Sequence, residues 1–297
     1  MAHHSDTSLP VVLVTGLNGF TGRYLKVELE RSGYRVVGLS LDEFGPRVSL
    51  LDAGAVRDCV FRIKPNAVVH LAAIAFVAHD DVDELYRTNI LGTRNLLAAL
   101  ADLPSPPLSL LASSANVYGN VDSDKSITEQ VPTQPANDYA VSKLAMEYMA
   151  RTWSERLPIT IVRPFNYTGI GQRSTYLIPK IVDHFRRGDR HIELGNIDVE
   201  REFLDVRAVA WSYRRLLDMH VDGALLNVCT GQSYTLTDVL MMMAQIAGYE
   251  IEVSVNPAFV RANEVRQLTG DNTQLQNRIG ALPHYALADT LRWMYTA

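Results

Sequence analysis

Five apolar runs punctuate the chain up to residue 165: VVLVTG (11–16), YRVVGLS (34–40), AVVHLAA (67–73), LSLLASS (108–114) and ITIVRPF (159–165). Each is nearly continuous rather than alternating, as expected of strands covered on both faces of a parallel sheet. Between them, apolar positions recur at helical spacing over 21–32, ended by Gly33, and over 84–101 and 138–156. Strands alternating with helices build right-handed βαβ units, so the pattern predicts an α/β fold, a Rossmann-type doubly wound parallel sheet. After Pro164 the pattern loosens. A helix over 177–187, a Gly-broken loop, a buried strand LLNVC (225–229) and a Met-rich helix over 235–247 follow, with Met241–Met243 read as gap-filling core. There is no internal repeat and no low-complexity linker. The expected division is therefore a larger domain over 1–165, with returns near 203–230, and a smaller interleaved α/β lobe over 166–297.

Composition narrows the function classes. With 297 residues and 47% hydrophobic content, the chain is long enough for a substantial core. Its net charge is -5 and it has no basic run able to track a phosphate backbone, so a nucleic-acid partner is not expected. Cys59 and Cys229 lie far apart without a CxxC pattern, which suits a reducing compartment and offers no metal site. No histidine pair has ligand spacing, and His3 and His4 are given no role. No segment approaches the roughly 20 apolar residues that span a bilayer, and the polar start lacks a signal core, so a soluble cytoplasmic protein is expected.

The first strand runs directly into TGLNGFTG, with Gly16, Gly19 and Gly22 at three-residue spacing where strand becomes helix. Glycine allows a tight turn and a close backbone approach to a pyrophosphate resting on the helix N-terminus, although a plain turn is the competing reading. A dinucleotide site usually carries an acid at the end of the second strand, where this chain has Ser40; Asp42 falls two residues late. Arg23, just after the third glycine, suits a 2′-phosphate, so NADP(H) is favoured slightly and NAD(H) stays open. Asp52 is either an adenine contact or a loop cap. Farther on, DYAVSK places Tyr139 and Lys143 one helical turn apart, on one face. Ser114 emerges from the end of the fourth strand. Together the three suit carbonyl reduction: Ser114 holds the oxygen, Tyr139 donates a proton, and Lys143 lowers the tyrosine pKa. His70 reads as a core histidine before a catalyst, and Asn89 as structural.

The motifs TGxxGxxG, HLAA (70–73), NILGTRNLL (89–97), SSANVYG, YAVSK and RPFN (163–166), in this order, resemble the extended short-chain dehydrogenase/reductase family acting on nucleotide sugars. The resemblance implies cofactor contacts at Gly16, Asn18, Gly19, Phe20, Thr21, Gly22, Ser40, Asp52, Leu71, Ala72, Ala73, Tyr139 and Lys143. It makes Ser114, Tyr139 and Lys143 catalytic and places Asn116, Asn166, Arg201, Arg261 and Glu264 at the substrate. On their own residues, Arg201 could equally form a surface ion pair and Asn166 cap a turn. Dehydratases of the family carry an acid just after the active-site Ser or Thr; Ala115 and Asn116 stand here, and neither exchanges a proton near neutral pH. The segment GNIDVEREFLDVRAVAWSYRRLL (195–217) is similar to the 4-keto-6-deoxy-hexose reductases that use GDP-sugars, with Glu202 where many relatives have Asp. The implied reaction is reduction of the C4 ketone of GDP-4-keto-6-deoxy-D-mannose to GDP-D-rhamnose. The main alternative is a nucleotide-sugar 4-epimerase with retained NAD; a 4,6-dehydratase and a non-catalytic NADPH-binding regulator stand further back. Relatives pair through two helices, so a homodimer is expected around 84–101 and 138–156, with Leu96, Leu97, Leu144 and Met149 either among the interface residues or, equally, facing the sheet.

Overall fold

A computed structural model describes residues 9–39, 48–75, 81–121, 126–197, 199–260 and 267–297. Six strands form one parallel sheet: β1 (Val11–Thr15), β2 (Arg35–Gly38), β3 (Ala67–His70), β4 (Leu108–Ala112), β5 (Ile159–Pro164) and β10 (Leu225–Val228). Their spatial order is β2-β1-β3-β4-β5-β10. The chain moves from β1 out to the edge at β2, then returns to the other side of β1 at β3. The carboxyl ends of β1 and β3 thus flank the crevice where such sheets take ligands.

The period of two along each strand divides the core between the two faces. Val12 and Val14 of β1 pack with Leu25 and Leu29 of α1 (Phe20–Arg31), Val209 and Leu216 of α7 (Val206–Asp218), and Leu275 of α9 (Thr273–Ile279). Leu13 points the opposite way, toward Val56 and Val60 of α2 (Ala53–Ile63), Leu96 and Leu100 of α4 (Thr93–Ala101), and Met146 of α5 (Asp138–Arg151). Each such buried aliphatic side chain contributes roughly 1.5–3 kcal/mol. Cys59 and Cys229 are both wholly buried.

Residues beyond β5 add small sheets that the apolar pattern does not announce. β7 (His191–Leu194) pairs parallel with β12 (Glu252–Val255). β8 (Glu200–Glu202) lies between antiparallel β11 (Ser233–Thr235) and parallel β13 (Gln267–Leu268). β6 (Tyr167–Thr168) pairs with β9 (Leu204–Asp205). β7, β11 and β12 contribute to a separate core that also holds Ile181 and Phe185 of α6 (Leu177–Arg187), Val239 and Met243 of α8 (Leu236–Ala247), and Leu291 of α10 (Leu287–Tyr295).

Several expectations need correction. The helix begun at Asp138 ends at Arg151, not 156, and the next residues turn back toward Leu157. The helix over 84–101 is three pieces: α3 (Val82–Tyr86), a π-helical turn Arg87–Gly92, and α4. Leu96 and Leu97 are wholly buried and face the sheet, the second of the two readings open for them, while Leu144 and Met149 are partly buried and pack on core clusters. The apolar side chains that α5 and the π-turn do expose are Leu91, Val141 and Tyr148. Of the three methionines, Met243 is core but Met241 points outward. Among the described residues no helix is long and apolar enough to cross a membrane.

Candidate active site

The turn after β1 is built from glycines that cannot be replaced. Gly16 adopts φ +72°, and a Cβ there would lie 2.9 Å from the Ala72 backbone nitrogen. A Cβ on Gly22 would collide with the carbonyl oxygens of Gly16 and Leu17. The loops after β1 and β3 therefore touch, with Thr15 Oγ1 accepting from Ala72 N at 3.1 Å, and Leu71 and Ala72 lie against the glycine turn. Gly19 caps α1 without any side-chain bond, whereas Asp52, Asn137 and Asp205 supply that bond for α2, α5 and α7. Close backbone and uncapped amides fit a dinucleotide pyrophosphate.

Other parts of the expected cofactor site are engaged within the protein. The Phe20 ring stacks on Tyr167 at 6.0 Å, and Thr21 Oγ1 is 2.8 Å from the Tyr167 hydroxyl. These two positions are left with their backbone amides to offer an anion. Arg23 donates to the Gly171 carbonyl at 3.2 Å, which aims its guanidinium at the loop after β6. Asp52 is the N-cap of α2, accepting from Ala55 N at 3.0 Å, in line with the cap reading. Asn18 stays in the turn between β1 and α1. Ser40 and Asp42 lie outside the described residues.

Ser114, Tyr139 and Lys143 converge at the carboxyl end of β4. Ser114 leaves the strand as the cap of a short 3-10 turn, its Oγ accepting from Asn116 N at 3.2 Å. Its hydroxyl also bonds to Tyr139, which sits in the first turn of α5 just after the Asn137 cap. Lys143, one turn on, donates from Nζ to the Ala112 carbonyl at 2.8 Å. Burial holds the Tyr139 phenol well above its ordinary pKa; the Ser114 bond opposes this, and Tyr167 and Tyr176 reinforce it. Burial pushes the Lys143 ammonium down to about 8, against the pull of Glu147. A phenol kept protonated beside an ammonium and a hydroxyl can give up a proton and have the resulting anion held.

Two further residues set this geometry. Asn89, in the π-turn, donates to Ile74 O and Ser142 Oγ and accepts from Ile74 N at 2.9 Å, so it ties the loop after β3 to α5 beside Lys143. That is the structural role expected of it, and π-turns often occur where helices are bent to such a purpose. His70 is the satisfied core histidine: Nδ1 lies 2.7 Å from Thr15 Oγ1 and Nε2 lies 2.8 Å from Thr93 Oγ1. Thr93 donates to the Asn89 carbonyl and must accept from Nε2–H, so the ring is the neutral Nε2–H tautomer.

The expected substrate residues fall around the same rim. Asn116 lies in the 3-10 turn, half-buried, and Asn166 follows β5, its carbonyl accepting from Leu204 N. Arg201 is largely buried in β8 and donates to the Glu200 carbonyl at 2.9 Å. Its neighbour Glu202 reaches across to Thr230, Gly231 and Gly270, beyond the carboxyl end of β10. Arg261 and Glu264 lie outside the described residues. Glu147 and Arg163, discussed below, escaped the sequence reading, although a charge inside the apolar run ITIVRPF signals a buried partner. Among the described residues no group of three or more His, Cys, Asp and Glu side chains is placed to hold a metal ion.

A doubly wound parallel sheet with a glycine turn after its first strand and Ser, Tyr and Lys meeting beside it defines a protein of the short-chain dehydrogenase/reductase class. Within that class the chain belongs to the NAD dependent epimerase/dehydratase family, whose model matches residues 12–229. It is 34% identical over 271 residues, 91% of each chain, to GDP-6-deoxy-D-talose 4-dehydrogenase of Aggregatibacter actinomycetemcomitans. It is 34% identical over 291 residues to GDP-6-deoxy-D-mannose reductase of Pseudomonas aeruginosa, covering 95% of this chain and 94% of that one. The structure of RMD from Pseudomonas aeruginosa complexed with NADPH superposes with a TM-score of 0.87 at 33% identity, covering 97% of each chain.

Proposed function

We propose that this chain is an NAD(P)H-dependent reductase of the C4 ketone of a GDP-linked 4-keto-6-deoxy-hexose, converting GDP-4-keto-6-deoxy-D-mannose to GDP-D-rhamnose. The observation that carries the reading is the meeting of Ser114, Tyr139 and Lys143 at the carboxyl end of β4, in a sheet whose first strand runs into the glycine turn. Two relatives acting on GDP-linked 6-deoxy sugars support the substrate class, and the NADPH held by the Pseudomonas aeruginosa structure favours NADPH. When bound, the reduced nicotinamide supplies hydride. The chain's own part is acid catalysis. Ser114 holds the ketone oxygen, and Tyr139, kept protonated by its burial, donates to that oxygen as charge develops on it. Lys143, charged at neutral pH, and Ser114 then stabilise the phenolate. Ala115 and Asn116 supply no acid after Ser114, which sets dehydration aside. Arg201 and Asn166 face the diphosphate in this reading, an arginine being suited to bidentate phosphate contact.

The test is loss of reduced-nicotinamide absorbance on mixing purified protein with NADPH, or separately NADH, and GDP-4-keto-6-deoxy-D-mannose. Stoichiometric consumption is expected, about 10²–10⁴-fold slower in Tyr139→Phe. D-Talose and D-mannose differ at C4, so NMR of the product hydroxyl reads which face receives hydride. No consumption, together with NAD retained through purification, would overturn the reductase in favour of the 4-epimerase.

A further inference from the structure

Glu147 lies one turn beyond Lys143 on the inner face of α5 and is wholly buried. Three donors close on its carboxylate. Arg163 of β5 gives Nε to Oε1 at 2.9 Å and Nη2 to Oε2 at 2.6 Å, and Ser113 gives its hydroxyl to Oε1 at 2.5 Å. The exit of β4 is thus held at consecutive residues. Ala112 takes the Lys143 ammonium through its carbonyl, Ser113 binds Glu147, and Ser114 bonds to Tyr139. A carboxylate used only to fasten α5 to β5 needs Arg163 and nothing else. This one also reaches the residue between the two β4 positions that serve the site.

We propose that Glu147 is a positioning residue: clamped by Arg163 and Ser113, it keeps Lys143 protonated and holds Ser114 in register with Tyr139. The consequence for turnover rests on the reductase reading; the charge state of Lys143 does not. Four groups besides Glu147 face Lys143 or its partner. Neutral His70 of β3 feels the Lys143 ammonium, Tyr139 lies one turn before Lys143 on the same helix and bonds to Ser114 of the turn after β4, and Arg163 stands behind Glu147 with its guanidinium 4.7 Å from the Tyr118 ring. Tyr167 and Tyr176 act on Tyr139. Among these, the carboxylate that opposes the burial of Lys143 is Glu147. Without its charge, two buried cations would share one wall with no anion between them, and the ammonium, unlike the guanidinium, can shed its proton.

The experiment is ¹⁵N NMR of the lysine Nζ groups in lysine-labelled protein. The chain has five lysines, and the Lys143 signal is assigned by its loss in Lys143→Met. In the wild type Lys143 is expected to titrate at about 8. In Glu147→Gln the titration should fall by about one pH unit or more. Because that variant leaves Arg163 unpaired and can fail to fold, Glu147→Gln/Arg163→Gln is measured beside it. The pair becomes neutral there, and the shift stays downward but is smaller. Glu147→Asp, which keeps the charge, should return the titration toward the wild-type value. Lys143 titrating at the wild-type pH in the double variant, or in Glu147→Gln, would overturn the proposal. Should the titration move while no ketone is reduced, the reductase reading fails and the role of Glu147 stands. Where turnover is present, the high-pH limb of kcat/KM should move with the NMR titration.

Discussion

Glu147 and Glu202 are both 0% exposed, yet the protein accommodates their charges in opposite ways. Glu147, under the catalytic helix, meets a guanidinium in a bidentate pair 2.6 Å across at its shorter contact. Glu202, at the end of β8, meets neutral donors among the described residues: Thr230 N at 2.5 Å, Thr230 Oγ1 at 2.9 Å, Gly231 N at 3.2 Å, and Gly270 N. A cation balances one charge; dipoles merely solvate the other. Burial accordingly raises the proton affinity of Glu202 in spite of its four donors. The lesson concerns position. The ion pair stands beside a lysine whose protonation matters, where a fixed countercharge has an effect. The dipole-solvated carboxylate stands where loops must be joined, linking the exit of β10 to Gly270 beside β13.

The comparison breaks most readily at Glu147. Removing one partner of a buried ion pair leaves the other uncompensated, so Glu147→Gln should cost about 3–5 kcal/mol of folding stability, read from the urea midpoint. The doubly neutral Glu147→Gln/Arg163→Gln should lose clearly less. Equal losses in the two would show that the pair fastens through shape and hydrogen bonds rather than through charge.

Glu202 sharpens the contrast from the other side. Its folded-state pKa lies above its unfolded value, so between those values the folded state binds more protons. Its contribution to stability is therefore greatest at low pH and is lost as pH rises through the folded pKa. Glu202→Gln should remove this part of the pH dependence while costing about 1–3 kcal/mol, because an amide NH2 must now face backbone N–H groups. Difference curves of stability against pH for wild type and variant decide it. A pH-independent difference would mean that Glu202 titrates alike in both states.

How much of this was legible beforehand depends on the range of the physics. The sheet strands announced themselves because burial on both faces demands unbroken apolar runs, and the Gly16–Gly22 turn because only glycine tolerates such contacts. Tyr139 and Lys143 were visible as a local i, i+4 pair. Glu147 repeats that spacing in the same helix, but its meaning depends on Arg163, which is contributed by another strand. β8, β11 and β13 are two or three residues long, and β8 reaches its partners across thirty-one to thirty-five positions in sequence for β11 and sixty-seven for β13, so no short window along the chain contains their signal. The π-turn at Arg87–Gly92 was equally hidden, since its register follows from Asn89 holding Ile74 and Ser142. Whether Leu96 and Leu97 meet the sheet or a partner stayed open because helical spacing alone does not say which apolar stripe meets the sheet.

His70 completes the comparison as a buried ionisable group that carries no charge at all. Its two nitrogens are matched to Thr15 and Thr93 in a pattern that the neutral ring satisfies, and burial, aided by the nearby Lys143 ammonium, pushes its pKa down to about 3. An unfolded histidine protonates near 6.5. Between these values the unfolded state binds the extra proton, so stability rises with pH. The histidine's share is intact above about 6.5 and is lost at about 1.4 kcal/mol per pH unit as pH falls toward 3. Other groups titrate in acid too, so the measurement is again a difference: wild type against His70→Asn, followed by thermal unfolding from neutral pH downward. The variant should lack this slope. Lys143→Met should shorten the window from its lower end, since removing the ammonium lets the buried ring accept a proton more readily. If Lys143→Met left the window unchanged, the ammonium would have no electrostatic hold on His70, and burial alone would account for the neutral ring.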